Sequence, residues 1–254
     1  MTAHQHLWSA KERAVSIQTY ARITGVVFLV AIVAGGFGEF YAPSQLVVPG
    51  NASATAHNII ASDLFLRLGF VGYLGEAITD VALTFLLYVL LRPVHANLAK
   101  LAVLFRIMAT ATFAFGELFY FAPTLILGGD GYLKTFSPDQ LHALALLSLN
   151  LYGLVGGLFT VFYGIASMIL GYLMFRSGYL PKVMGVIWVL GGLGFVTWNI
   201  LLVLTPGYAS SLLPVPQVLA TLALGLWLLV RGVDVGKWKE NENEALAASA
   251  RVPS

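Results

Sequence analysis

Four carboxylates and one guanidinium stand where the chain is otherwise apolar: Glu39, Glu76, Asp80, Glu117 and Arg106. An ionised Asp, Lys or Arg at the centre of a membrane helix costs about 2.5–3.5 kcal/mol on insertion scales. Five such groups in one small bundle require partners, a wet cavity or neutralisation. Glu76 and Asp80 are four residues apart and share one helix face, which Tyr73 and Thr84 extend. Arg106, Thr110, Glu117 and Tyr120 form a comparable stripe with Phe113 between them. The chemistry open to such a set is proton or cation handling, or a polar pocket for a small ligand. Burial and like charge favour the protonated carboxyl, the form that a proton-coupled carrier or an acid–base catalyst draws on. A structural alternative stands beside it. Asp80 and Arg106 would then fix helix packing, while Glu39 and Glu117, each shortly before a proline (Pro43, Pro123), would reach the headgroups.

Tyr73, Tyr120, Asn150, Asn199 and His142 are the secondary cavity candidates, the asparagines serving equally as interhelical hydrogen-bonding groups. Three carboxylates with His142 would suit a hard or borderline divalent cation. His142 has no second ligand three or four residues on, so no metal site is expected, and no motif names a cofactor. His4, His6, His57 and His95 read as solvated. Phosphate-loop, His-Glu-x-x-His and Gly-x-Ser-x-Gly motifs are missing from the sequence.

The elements that must position these groups follow from composition. Of 254 residues 58% are hydrophobic and 10% charged, against about 25% charged in a soluble domain. The fold class is therefore an all-α integral membrane bundle. Six runs approach the roughly 20 apolar residues needed to span a bilayer: 21–42, 65–91, 99–127, 141–175, 181–204 and 212–231. The fourth is long enough to require tilt or an interfacial first turn near Pro138. Residues 1–19 form an N-terminal segment without a cleavable signal, 20–231 the membrane domain, and 232–254 a polar tail expected to be largely disordered. Eleven Lys and Arg fall in one set of loops and two, Arg67 and Lys134, in the other, with Arg106 set aside as intramembrane. That bias places both termini in the cytoplasm and the chain in the inner (plasma) membrane. The basic residues thus serve topology and form no nucleic-acid face.

Two short outer helices are expected, one over 53–62 with Ser53 as cap and one opened by Ser137-Pro138-Asp139. Gly38-Glu39-Phe40-Tyr41-Ala42-Pro43 echoes Gly116-Glu117-Leu118-Phe119-Tyr120-Phe121-Ala122-Pro123, the pattern of tandem helical hairpins. Counting about 1.5 Å per residue from the basic ends, Asp80 lies roughly 18 Å deep and Arg106 roughly 12 Å, close enough for a bridge. Glu39 and Glu76 lie roughly 25 Å deep and Glu117 roughly 28 Å. Glycines 153, 156, 157 and 164, and 191, 192 and 194, suit close helix contact. Trp188, Trp227, Tyr172 and Tyr179 suit interfacial anchoring.

Tyr20 to Gly25, Val48-Pro49-Gly50 with Ala54 to Phe70, Asp80 to Pro93, Phe105-Arg106, Ser137 to Leu141 and Leu170 to Gly185 resemble, in wording and order, a family of bacterial multi-pass proteins catalogued as domain of unknown function 4386. The resemblance spans roughly residues 20–230. It implies a six-helix membrane protein and carries no activity. The residues themselves point to a protein that binds or moves a small solute through a polar intramembrane cavity with proton involvement. A membrane enzyme acting on a lipid or isoprenoid, and a non-catalytic accessory subunit, are the alternatives. The partners are the bilayer and a small-molecule or lipid ligand; oligomeric state is not legible in the residues.

Overall fold

The computed structural model describes residues 16–129 and 131–250; the readings placed on residues 1–15 and 251–254 lie outside them. Among the described residues five helices are long and apolar enough to cross a membrane. Helix α1 runs over Ile17–Leu46, its first turn capped by the Ser16 hydroxyl, which accepts from the Thr19 amide at 3.2 Å. Within it, Gly36–Tyr41 forms a wide π-turn that closes with the Ala42 amide on the Phe37 carbonyl. Pro43 brings no amide proton and crowds the carbonyl four residues back, which favours such a local widening. Short α2 (Ala52–Ala61) and α3 (Asp63–Leu91) follow, then α4 (Ala96–Ile126). Helix α5 (Pro138–Ser177) is a single unbroken helix of 40 residues, about 60 Å long. Ser137 and Gln140 form its capping box, and Gly178 ends it in the left-handed region at φ 74°. Helix α6 covers Lys182–Leu204.

The sixth expected span differs from its reading. Helix α7 begins at Val215 after Pro214 and has only 16 residues, Val215–Val230, about 24 Å. The polar tail is also corrected: residues Val235–Ala250 form helix α8, bent by 102° from α7. Its order comes from tertiary contacts that composition does not reveal. The Trp238 indole donates to the Leu90 carbonyl at 3.0 Å, the Asn241 amide to Ser177 at 2.9 Å, and Arg92 meets Glu242 at 3.3 Å.

The spans close into a ring in which α1 packs on α3, α3 on α4, α4 on α5, α5 on α6, α6 on α7, and α7 back on α1. The Gln18 amide ties the start of α1 to the end of α7, donating to Arg231 O at 2.9 Å and accepting from Val233 N at 3.1 Å. That end, where α8 also folds across, carries Arg92, Arg176, Lys182 and Lys237, and is called the basic end below. Small residues set the spacing. A Cβ on Gly164 would meet Gly192 O at 2.6 Å, and one on Gly25 would meet Leu229 N at 2.5 Å. Gly153 and Gly156 have open space beside them, so the small-residue seam of α5 is narrower than its glycines suggest. Asn51 rather than Ser53 caps α2, accepting from Ala54 N at 2.9 Å. Pro43 and Pro123 do not themselves end their helices, which run on to Leu46 and to Ile126. The Phe119 carbonyl, whose partner Pro123 removes, accepts instead from the Ser148 hydroxyl of α5.

Candidate functional site

The interior is layered along the ring axis. Nearest the basic end lies an apolar layer with Phe28, Leu87, Leu173, Met174, Trp188 and Leu224. Trp188 is no interfacial anchor: it is 0% exposed and donates to Ala220 O at 3.1 Å. Tyr179 is likewise buried, its hydroxyl on Leu90 O at 2.7 Å.

Above this layer sits the charge pair. Asp80 on α3 and Arg106 on α4 form a salt bridge, and the Thr110 hydroxyl donates to the second Asp80 oxygen. The Arg106 Nε donates to the Thr84 hydroxyl at 2.9 Å, while the Thr84 hydroxyl in turn reaches Asp80 O at 2.8 Å. Each helix contributes an ionised residue and a threonine four positions away, so two adjacent turns satisfy one another. The guanidinium also lies 5.0 Å from the Tyr163 ring centroid, a cation–π contact. Arg106 is 1% exposed. A buried pair is secure only when its remaining hydrogen-bonding capacity is met; the carboxylate of this one is fully engaged, while Nη1 of the guanidinium is buried without a hydrogen-bond partner.

The third layer, one turn further along α3, is built differently. Tyr73 (α3), Tyr120 (α4) and Tyr152 (α5) meet with ring centroids 4.7, 5.5 and 5.6 Å apart, and Tyr152 hydrogen-bonds Tyr73 through their hydroxyls. Phe113 lies 5.7 Å from Tyr73 and 5.3 Å from Phe159, and Phe159 lies 5.2 Å from Tyr163. An aromatic column therefore links this layer to Arg106. Around the tyrosines stand Glu39 from the π-turn of α1, Glu76 from α3 and Glu117 from α4. Glu76 lies within electrostatic reach of Glu39, Asp80 and Glu117, and Glu39 within reach of Glu117. The Glu76 carboxylate rests against the bare Cα of Gly35. Two carboxylate oxygens, Glu76 Oε2 and Glu117 Oε1, and the Tyr120 hydroxyl are buried without a hydrogen-bond partner. Glu117 is 2% exposed, so the expectation that it reaches the headgroups fails; its helix turns it inward with Phe113 and Tyr120.

The secondary candidates divide. Tyr73 and Tyr120 belong to the layer. Asn199 lies between α5 and α6, its amide against Gly157. Asn150 is exposed on the outer face of α5 and lines no cavity; its helix directs Tyr152 inward instead. His142 stacks edge-on with His57 at 5.4 Å and borders a depression of about 190 Å³ with Lys134 and Phe136. It sits at the end opposite the basic one, apart from the glutamates. No group of three or more His, Cys, Asp or Glu among the described residues is placed to hold a metal ion. Residues the spacing argument passed over are Tyr152, Phe159 and Tyr163, which recur on α5 at i, i+7 and i+11. That stripe was a readable signal. Gln217 and Thr221 on α7, joined at 3.3 Å, had no comparable one.

A ring of apolar helices around buried ionisable layers defines a polytopic membrane protein. The chain belongs to the family described as a domain of unknown function (DUF4386), whose model matches residues 23–232. It is 28% identical over 162 residues to an uncharacterised protein of the archaeon Archaeoglobus fulgidus, an alignment covering 64% of this chain and 82% of that one. The likeness thus reaches beyond the bacteria that the sequence motifs suggested. No solved structure matches.

Proposed function

We propose that this protein binds and moves a small solute through the glutamate–tyrosine layer, with a proton exchanged at Glu76 or its neighbours. The observation that carries the reading is the pair of unpartnered buried carboxylate oxygens, Glu76 Oε2 and Glu117 Oε1, one turn from the Asp80 carboxylate, both of whose oxygens have partners. An unmet buried acceptor costs about 1–3 kcal/mol, and a donor that comes and goes, a proton or a ligand, removes that cost. The apolar layer and the Asp80–Arg106 pair separate this site from the basic end, while Glu39 and Glu76 retain partial exposure. Asp80 is partly exposed as well, and the reading has the site reached from the end opposite the basic one. In this reading the basic end faces the cytoplasm, in keeping with the lysine and arginine bias. The accessory-subunit alternative asks for a paired interior, a condition that the unpartnered glutamate oxygens do not meet.

The test is twofold. Infrared difference spectra of the purified protein between acidic and alkaline buffer should contain a protonated-carboxyl band that Glu76→Gln removes. Vesicles carrying the wild-type chain should show pH-gradient-driven solute uptake that the same variant abolishes. Identical spectra and identical uptake in the two proteins would overturn the proposal.

A further inference from the structure

We infer that the end of the bundle opposite the basic one holds an anionic phospholipid, its phosphate on Lys134 and Arg67 and its carbon skeleton on the apolar surface between them. The inference is independent of what the glutamate–tyrosine layer carries.

Two depressions supply the room. The first, about 190 Å³, is bordered by Lys134 and Phe136; the second, about 220 Å³, by Asp63 and Arg67. Ile60 and Leu127 line both, so the two adjoin where α3 and α5 begin and α4 ends. They are open at the surface: Ile60 is 56% and Phe136 43% exposed.

Charge sets the sign of the occupant. Arg67 and Lys134 are the two basic residues in the loops that are otherwise poor in them, and each borders one of the depressions. Lys134 is exposed, and no carboxylate among the described residues pairs with it. Arg67, half exposed, gives its Nε to Asp63 at 2.7 Å. That contact neutralises the acid bordering the second depression and leaves the terminal nitrogens of Arg67 as donors. Asp139, in the first turn of α5, borders neither depression. An arginine fork and a lysine ammonium suit a phosphate group. A zwitterionic lipid would bring its own ammonium beside two cations.

Depth and lining favour a lipid over a free ion. Arg67 and Arg92, near the two ends of α3, are 25 residues apart, about 37 Å along a straight helix. A bilayer measures about 30 Å across its hydrocarbon and about 40–45 Å with its headgroups. With Arg92 in one headgroup layer, Arg67 therefore reaches the other. Leu133 and Leu141 join Ile60 and Leu127 in the first depression, and inorganic phosphate would leave that apolar surface uncovered.

The test uses the full chain in a non-ionic detergent, with lipid retention followed by native mass spectrometry. Palmitoyl-oleoyl phosphatidylglycerol should occupy one tight site per chain and bind at least fivefold more tightly than the matching phosphatidylcholine. Lys134→Gln should weaken it about fivefold, as should Arg67→Gln, while Lys182→Gln at the basic end leaves it unchanged. Equal retention of the two lipids, unchanged affinity in Lys134→Gln, or a loss that follows Lys182→Gln instead, overturns the inference. Displacement of the lipid by inorganic phosphate also overturns it, because the cations would then serve a free anion. Arg67→Gln strands Asp63; should it fail to fold, Lys134→Gln decides alone, since it alters an exposed side chain that pairs with no described carboxylate.

Discussion

One turn of α3 separates Asp80 from Glu76, and the two carboxylates are treated in opposite ways. Asp80 has an arginine and a threonine on it from α4, and the arginine has its own threonine and aromatic ring. Glu76 has Gly35 behind it, two further glutamates in electrostatic reach and an oxygen with no partner. Both are acids at comparable depth on one helix face, so burial alone does not mark the working residue. The distinction lies in whether the neighbouring helix supplies the complement. Where it does, the group holds the ring together; where it does not, the fold carries a standing cost that only a visiting donor removes.

That contrast is open to attack at several points. Arg106→Met should have the largest effect, destabilising the protein by about 3–5 kcal/mol because it strands Asp80 without its countercharge. Thermal unfolding in detergent measures this, and the double variant Asp80→Leu/Arg106→Met should recover most of the loss. A single variant as stable as wild type would remove the pair from its structural role. Ser148→Ala calibrates an ordinary polar contact in this bundle: it deprives the Phe119 carbonyl and should cost about 0.6–1.7 kcal/mol in the same assay. Gly35→Ala places a methyl group where the Glu76 carboxylate now rests. The flexible acid end can yield, so the stability loss should stay near about 1 kcal/mol, while the carboxyl band assigned to Glu76 shifts. Glu117→Gln should change stability least, by under about 1 kcal/mol in either direction, because no hydrogen bond to Oε1 is lost. Its effect should appear in solute binding, and a severe unfolding phenotype would place Glu117 among the structural residues instead.

Much of this was legible in the chain. Hydropathy gave the five long helices, and the depth count brought Asp80 within bridging reach of Arg106 because a helix advances regularly. The i, i+4 pairing of Asp80 with Thr84 and of Arg106 with Thr110 was visible as two stripes. What escaped notice depended on rotation about the helix axis. Asn150 and Tyr152 are two residues apart, so only one can face the ring, and polarity favoured the wrong one; the aromatic stripe through Phe159 and Tyr163 was the better guide. His142 failed for a related reason, since its partner His57 lies on a separate short helix whose docking the sequence does not announce. Helix α8 reads as an unstructured tail by composition, yet Trp238 finds the Leu90 carbonyl and fixes it.

The closure of the ring has a consequence for how the protein is made. Glu39, Glu76, Glu117 and the three tyrosines come from α1, α3, α4 and α5, all synthesised before α6 and α7. Helix α7 leaves the ribosome after all of these, and it joins α6 to α1. Until it arrives the bundle is an open arc, with Phe28 and Trp188 lacking Leu224 and Ala220 and the Gln18 amide waiting for Arg231 and Val233. Closure of the ring therefore waits on a helix made after every acid of the layer, and a chain stopped short of Val215 would carry all of those acids in an unclosed arc.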